Sequence, residues 1–125
     1  MRVVELRRYT LEPGARETLV ELFDREFVES QERLGMRILG TFRDLDDPDQ
    51  FVWLRGFDDL AGRAPALRAF YSGPAWREHS GAANATMVDV DNVLLLRPAE
   101  GGPHLDLDPS ARPPSARPSV IRSSG

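Results

Sequence analysis

Apolar residues along this chain follow two spacings, one helical and one alternating, and the switches between them give the order of its elements. Residues 3–10 carry Val, Leu, Tyr and Thr and read as a strand. Pro13-Gly14 then opens a helix, since proline is tolerated in a first helical turn. Leu19, Leu22, Phe23, Phe27 and Leu34 recur at helical spacing until Gly35 stops the run. Residues 36–43 read as a second strand. The turn Asp46-Asp47-Pro48-Asp49 leads into a third, 51–57, making a hairpin. Asp58 or Asp59 can cap the next helical region, which Pro65 is expected to kink or restart. Gly73-Pro74 breaks it again before a short helix bearing Trp76 and His79. A last strand covers residues 87–97, with an irregularity expected at Asp91-Asn92.

The order is β-α-β-β-α-β, the ferredoxin-like arrangement of the α+β class, in which helices cover one face of an antiparallel sheet. In a lone subunit the opposite face should be polar. In the third strand, however, one face offers Phe51, Trp53, Arg55 and Phe57, and the other Val52 and Leu54. The last strand gives Val93 and Leu95 on one side, Leu94 and Leu96 on the other. Apolar residues on both faces call for a second cover. The expectation is a homodimer in which two sheets pack face to face.

Composition shifts at Pro98. Six of the ten prolines fall in the last 28 residues, among Gly, Ser and Ala, and Ser-Ala-Arg-Pro occurs twice, at 110–113 and 115–118. Such a segment cannot bury enough apolar surface to offset its ordering entropy. The chain therefore divides into a folded domain, 1–98, and a Pro-rich disordered tail, 99–125. A single domain of this size buries only about two-thirds of its unfolded surface, which again favours a partner subunit.

Composition also excludes several chemistries. With no cysteine there is no disulfide, thiolate nucleophile or Cys-type metal site. All 16 basic residues are arginine, so neither a Schiff-base lysine nor a phosphate-loop lysine exists. The net charge of −4 argues against a nucleic-acid surface. No segment approaches the ~18 apolar residues of a membrane span, and Glu5 stands where a signal peptide's apolar region would begin. A cytoplasmic location is the expectation.

The candidate chemistry centres on His79, the one histidine in the folded domain. Trp76, His79, Ala83 and Met87 share a helical stripe that faces the sheet or the gap between sheet and helices. His79 is the natural general acid/base near neutral pH; a lone histidine is more often a core residue bonded to backbone, and that reading stands beside it. Glu5, Arg7 and Tyr9 share a face in the first strand, Trp53 and Arg55 one in the third, and Arg37 and Arg43 lie in the second. Inward charges need partners. They can pair across strands as Glu–Arg contacts, or line an aromatic-walled pocket for a small anionic or enolisable molecule, with Tyr71 and Asn84 as added donors. The acidic run 44–49 lacks the glycine and the glutamate of a calcium loop and reads as a turn. No glycine-rich phosphate motif and no nucleophile elbow occurs.

With these motifs in place, the sequence resembles the NIPSNAP family of dimeric α+β barrel proteins. The matching stretches are VVELRRYTLEPG, FRDLDDPDQFVWLRGF, FYSGP with the following Trp76, and AANATMVDVDNVLLLRP, together spanning most of residues 3–98. The resemblance implies a ferredoxin-like subunit paired through its sheet. Similar barrels include cofactor-free monooxygenases, haem-handling enzymes and small cyclases and isomerases. Ser80 follows His79 where family-like sequences commonly carry Arg, and Pro65 falls in a helix usually free of proline.

The leading expectation is a small enzyme without metal or organic cofactor, acting on a hydrophobic oxygenated metabolite. It would work by isomerase- or cyclase-type proton transfer or by cofactor-free oxygenation. His79 moves the proton, Arg55, Tyr71 and Asn84 hold or polarise a carbonyl, and Trp53, Trp76, Arg37, Met87 and Tyr9 line the pocket. The rival is a non-catalytic dimeric module binding a ligand or protein; it requires His79 and Arg55 to be satisfied by protein groups, with no ligand-sized cavity. Haem held by His79 is a third reading.

Overall fold

The computed structural model describes residues 3–99; all but the first residue of the proline-rich tail expected at 99–125 lies outside the described residues. Strand β1 (Val3–Leu11) is followed by a helical run of three parts: α1 (Arg16–Leu22), a π-helical turn (Phe23–Phe27) and α2 (Val28–Glu32). Then come β2 (Arg37–Arg43), β3 (Gln50–Phe57), α3 (Arg63–Tyr71), α4 (Pro74–Asn84) and β4 (Met87–Leu96). The four strands form one antiparallel sheet in the order β2-β3-β1-β4, as the ferredoxin-like reading requires.

Strand alternation decides what faces the helices. Glu5 pairs with Arg55, Arg7 with Trp53 and Tyr9 with Phe51 across β1 and β3. Phe51, Trp53, Arg55 and Phe57 are all buried, and Leu19, Leu22, Phe23 and Phe27 of the first helical run and Phe70 of α3 close over them. Each of these large apolar side chains contributes about 1.5–3 kcal/mol by leaving water. The opposite face carries Leu6, Val52, Leu54, Leu94 and Leu96 toward one end. The other end is polar, with Arg8 Nε donating to Gln50 Oε1 (2.9 Å) and Gln50 Nε2 to Thr10 Oγ1 (2.8 Å).

Local breaks follow the sequence with two corrections. The first helix ends at Glu32, so Leu34 lies in a turn and is exposed, because Gly35 at φ +93° unwinds the chain there. Pro65 does not kink its helix. It sits in the first turn of α3, where its missing N–H deprives no carbonyl of a partner. The acidic run is a turn: Asp44 Oδ1 accepts the N–H groups of Asp46 and Asp47, and Asp47 Oδ1 that of Asp49. The register between β1 and β4 slips between Arg8–Asn92 and Thr10–Asp89, placing the bulge at the expected irregularity. Among the described residues no helix is long and apolar enough to cross a membrane.

Candidate functional site

The floor of the site is a buried charge cluster on the helix-facing side of the sheet. Glu5 and Arg55 are both fully buried and face each other across β1 and β3. Arg55 Nε donates to Glu5 Oε1 at 3.0 Å, and Nη2 donates to the same oxygen. Arg7 Nη1 adds a third bond to Oε1 at 3.0 Å. From the start of α3, Arg63 reaches Oε2 through Nε (2.8 Å) and Nη2 (2.7 Å). Burial alone would raise the Glu5 carboxyl; the Arg55 charge and the hydrogen bonds from Arg55, Arg7 and Arg63 outweigh it and hold the group below its ordinary range.

The π-helical turn forms the wall above this floor. Such turns carry one extra residue and mark functional sites often. The backbone at Phe27 departs from helical values (φ −114°, ψ −4°), and side chains from the following turn bond back to the carbonyls nearby. Ser30 Oγ donates to the Glu26 carbonyl (2.7 Å) and Gln31 Nε2 to that of Phe27 (2.8 Å). Gln31 Oε1 in turn accepts from Arg55 Nη1 at 2.6 Å. One buried amide thus ties the π turn to the Glu5–Arg55 pair.

Between wall and floor lies an aromatic cleft. Its inner lining is Tyr9, Trp53, Phe23, Phe27, Gln31 and Phe70, all buried; half-buried Tyr71, Trp76 and Met87 stand at its mouth. Trp53 meets Phe23 edge-on at 4.7 Å between ring centres, and Trp76 meets Tyr71 likewise at 5.2 Å. About 250 Å³ lies between these atoms, open mouth included, and little of it is enclosed. In this conformation the cleft has room for roughly one water molecule.

Tyr9, Gln31, Trp53 and Tyr71 bring polar groups to the lining, and Arg7 and Arg55 lie behind them in contact with these side chains. The Tyr71 hydroxyl accepts from Arg55 Nη1 at 3.5 Å. The indole N–H of Trp53 and the Nε–H of Arg7 are buried with no hydrogen-bond partner among the described residues. Arg7 lies against both Tyr9 and Trp53, its guanidinium carbon 5.8 and 5.9 Å from their ring centres. Burial pushes the Tyr9 hydroxyl up, and neighbouring Tyr71 adds to the shift. Arg7 and Arg55 oppose it, as does the Trp53 indole, which influences the hydroxyl without forming a hydrogen bond of full geometry. Tyr9 therefore stays a protonated phenol, a donor rather than a base, at neutral pH.

Of the residues singled out from sequence, the fold gathers Tyr9, Trp53, Tyr71, Trp76 and Met87 around the cleft, with Arg55 beside them in the floor. His79 is not among the cleft-lining residues. Its Nε2 lies 3.2 Å from Glu26 Oε1, and its ring packs on Phe27 at 6.3 Å between ring centres. Asn84, the last residue of α4, is exposed. Arg37 starts β2, with Nη1 donating to the Gly35 carbonyl at 3.4 Å. Arg63 and Gln31 escaped the sequence reading: nothing in helical periodicity says that a residue at a helix start will reach the Glu5 carboxylate, or that one just past a π turn will reach the Arg55 guanidinium. Glu5 and Arg7 were visible as inward charges, though not as a joint cluster. Among the described residues no three His, Asp or Glu side chains come together as a metal site.

A family model described as NIPSNAP matches residues 4–100. A NIPSNAP-like domain protein from Burkholderia xenovorans is 27% identical, with a TM-score of 0.74 over 87% of this chain and 97% of that one. A NIPSNAP family protein from Agrobacterium tumefaciens is 21% identical, with a TM-score of 0.73 over 82% of this chain and 92% of that one. The fold extends to a candidate antibiotic biosynthesis monooxygenase from Chloroflexus aurantiacus, 15% identical, with a TM-score of 0.57 over 82% and 98% of the two chains. No curated protein matches this chain.

Proposed function

The chain belongs to the NIPSNAP family, and from that footing we propose that it is a cytoplasmic enzyme working without metal or organic cofactor on a small hydrophobic, oxygen-bearing metabolite held in the aromatic cleft. The observation that carries this reading is the buried, unpartnered Trp53 N–H in the lining of an otherwise aromatic space. A buried donor left without a partner costs about 1–3 kcal/mol, and an oxygen-bearing ligand removes that cost. Half-buried Tyr71, Trp76 and Met87 at the mouth are the side chains that swing aside to admit it.

The chemistry best suited to this geometry is proton transfer beside a carbonyl, with isomerisation or cyclisation as the reaction type and cofactor-free oxygenation second. Trp53, Tyr9 and Tyr71 place three donors around the cleft, and the arginines beneath them favour charge developing on the substrate oxygen. His79 lies outside the cleft lining, packed on Phe27 one turn beyond Trp76 and beside Glu26, so in this reading it takes the proton from the part of the substrate that reaches past Trp76 at the mouth. Asn84, exposed at the end of α4, and Arg37, which donates to the Gly35 carbonyl at the start of β2, have no part in this mechanism.

One observation favours a second reading, a dimeric module that binds without turnover: Arg55 is fully engaged by Glu5, Gln31 and Tyr71, and the cleft is narrow. Deuterium exchange separates the two. The protein is incubated with cyclic 1,3-diketones and aryl ketones in heavy water and α-proton loss is followed by NMR. Catalysed exchange is expected for the enzyme, and abolished exchange in His79→Ala. Probes that quench tryptophan fluorescence but exchange at the background rate would instead establish the binding module.

A further inference from the structure

The charge cluster behind the cleft lining is unbalanced; it touches that lining where Arg55 meets Gln31, Tyr71 and Trp53, and Arg7 meets Trp53. Arg7, Arg55 and Arg63 share Glu5 as their carboxylate, so three guanidiniums face one acid. Two of the three are buried or nearly so: Arg55 is fully buried, and the Arg7 side chain keeps only 15% of its exposure. A cation out of water needs a counter-charge or a full set of hydrogen bonds. Arg55 has such a set from Glu5, Gln31 and Tyr71 and lies 4.6 Å over the Trp53 ring. Arg7 does not, because its Nε–H is buried and unpartnered. Another orphan donor belongs to the residue paired with it across the strands, Trp53, which is 1% exposed and lines the cleft; the remaining one among the described residues, Arg16 Nε, lies away from this cluster beside the acidic turn.

Resting on the reading of the cleft as a ligand site, we infer that its ligand is an organic anion, an aromatic or alicyclic carboxylate or stabilised enolate. Its charged oxygen enters beside Trp53 and Arg7. Its apolar body stays among Phe23, Phe27, Phe70 and Trp76. A neutral ketone or phenol satisfies the Trp53 N–H but leaves the surplus positive charge of the floor uncompensated. An anion answers both, and charge-assisted hydrogen bonds are the stronger kind. Arginine holds its charge across the physiological range, so the preference for an anion does not fade with pH while the ligand stays ionised.

The test compares benzoate with benzamide, an acid and its neutral isostere, titrated into the full chain by calorimetry and by tryptophan fluorescence. Benzoate is expected to bind about tenfold tighter or more, a ratio of the size one charge-assisted contact supplies. In Arg7→Met that ratio should fall toward one while benzamide binding persists, with the thermal melt confirming a folded protein. If Arg7→Met does not fold, Trp53→Phe, which keeps a ring and deletes the N–H, takes its place and should narrow the same ratio. Equal binding of acid and amide overturns the anion assignment and leaves the cleft reading standing. An acid preference unchanged in the variant also overturns it. Failure of both probes to bind removes the cleft reading and the inference together.

Discussion

At the scale of single residues, Glu5 governs this molecule more than any apolar side chain. Three arginines are held on its two oxygens, and removing the carboxylate leaves buried positive charge without compensation. Glu5→Gln is expected to cost about 3–5 kcal/mol, read as a lowered midpoint in urea unfolding. Its depressed pKa carries a pH signature as well. A carboxyl whose folded-state pKa lies below its unfolded one contributes stability that is complete above the unfolded value, near 4.3, and is lost as pH falls through the folded value. Urea midpoints of the parent protein should therefore drop steeply below about pH 4, and Glu5→Gln should flatten that fall. A variant that loses stability in acid as steeply as the parent would assign the pH dependence to other carboxylates. The sequence showed Glu5, Arg7 and Arg55 as inward-facing because strand alternation has a period of two. It did not show the orphan N–H groups, because a missing partner is a property of packing and leaves no trace in spacing.

At the scale of elements, the π turn is what brings Phe23 and Phe27 into one cleft with Trp53. It was invisible in the sequence for a simple reason: residues four apart share a helix face whether the turn between them is α or π. The turn depends on Gln31, whose amide donates to the Phe27 carbonyl and accepts from Arg55. Gln31→Ala orphans both and should destabilise the protein by about 1–3 kcal/mol in urea unfolding. Gln31→Glu keeps an acceptor for Arg55 but loses the donor to Phe27, and should recover part of that loss. Equal stability of parent and Gln31→Ala would mean that the π turn stands without its amide. Pro65 makes the opposite case. It looked like a helix breaker, yet α3 begins only two residues before it, so it falls where proline is compatible. Pro65→Ala should lower stability by less than about 1 kcal/mol, through the freer unfolded chain, with unchanged helix content by circular dichroism.

At the scale of the whole molecule, the fold was readable because its breaks are chemically explicit: Gly14 and Gly35 at positive φ, an Asp-rich turn, and Gly73-Pro74 between the last two helices. Gly73 in particular admits no side chain, as a Cβ there would stand 2.8 Å from the Ala69 carbonyl oxygen. What the single chain leaves open is its second sheet face. Leu94 and Leu96 stay 52% and 42% exposed, beside Leu6, Val52 and Leu54 on neighbouring strands. An exposed apolar surface of this kind is where association with a second copy is expected. The polar end of the same face, Arg8, Gln50 and Thr10, is bonded within itself and has less to gain from a partner. Two copies meeting through the leucine end in a two-fold arrangement bury the same residues twice, so one substitution counts on both sides. Leu94→Arg places two like charges near each other at such an interface while standing at an already exposed position in each subunit, where the fold itself tolerates it. Sedimentation velocity at tens of micromolar should therefore find the parent as two chains and Leu94→Arg as one, with melting of the single chain still cooperative. A parent protein that sediments as one chain under those conditions would leave the leucine face as surface and remove the dimer.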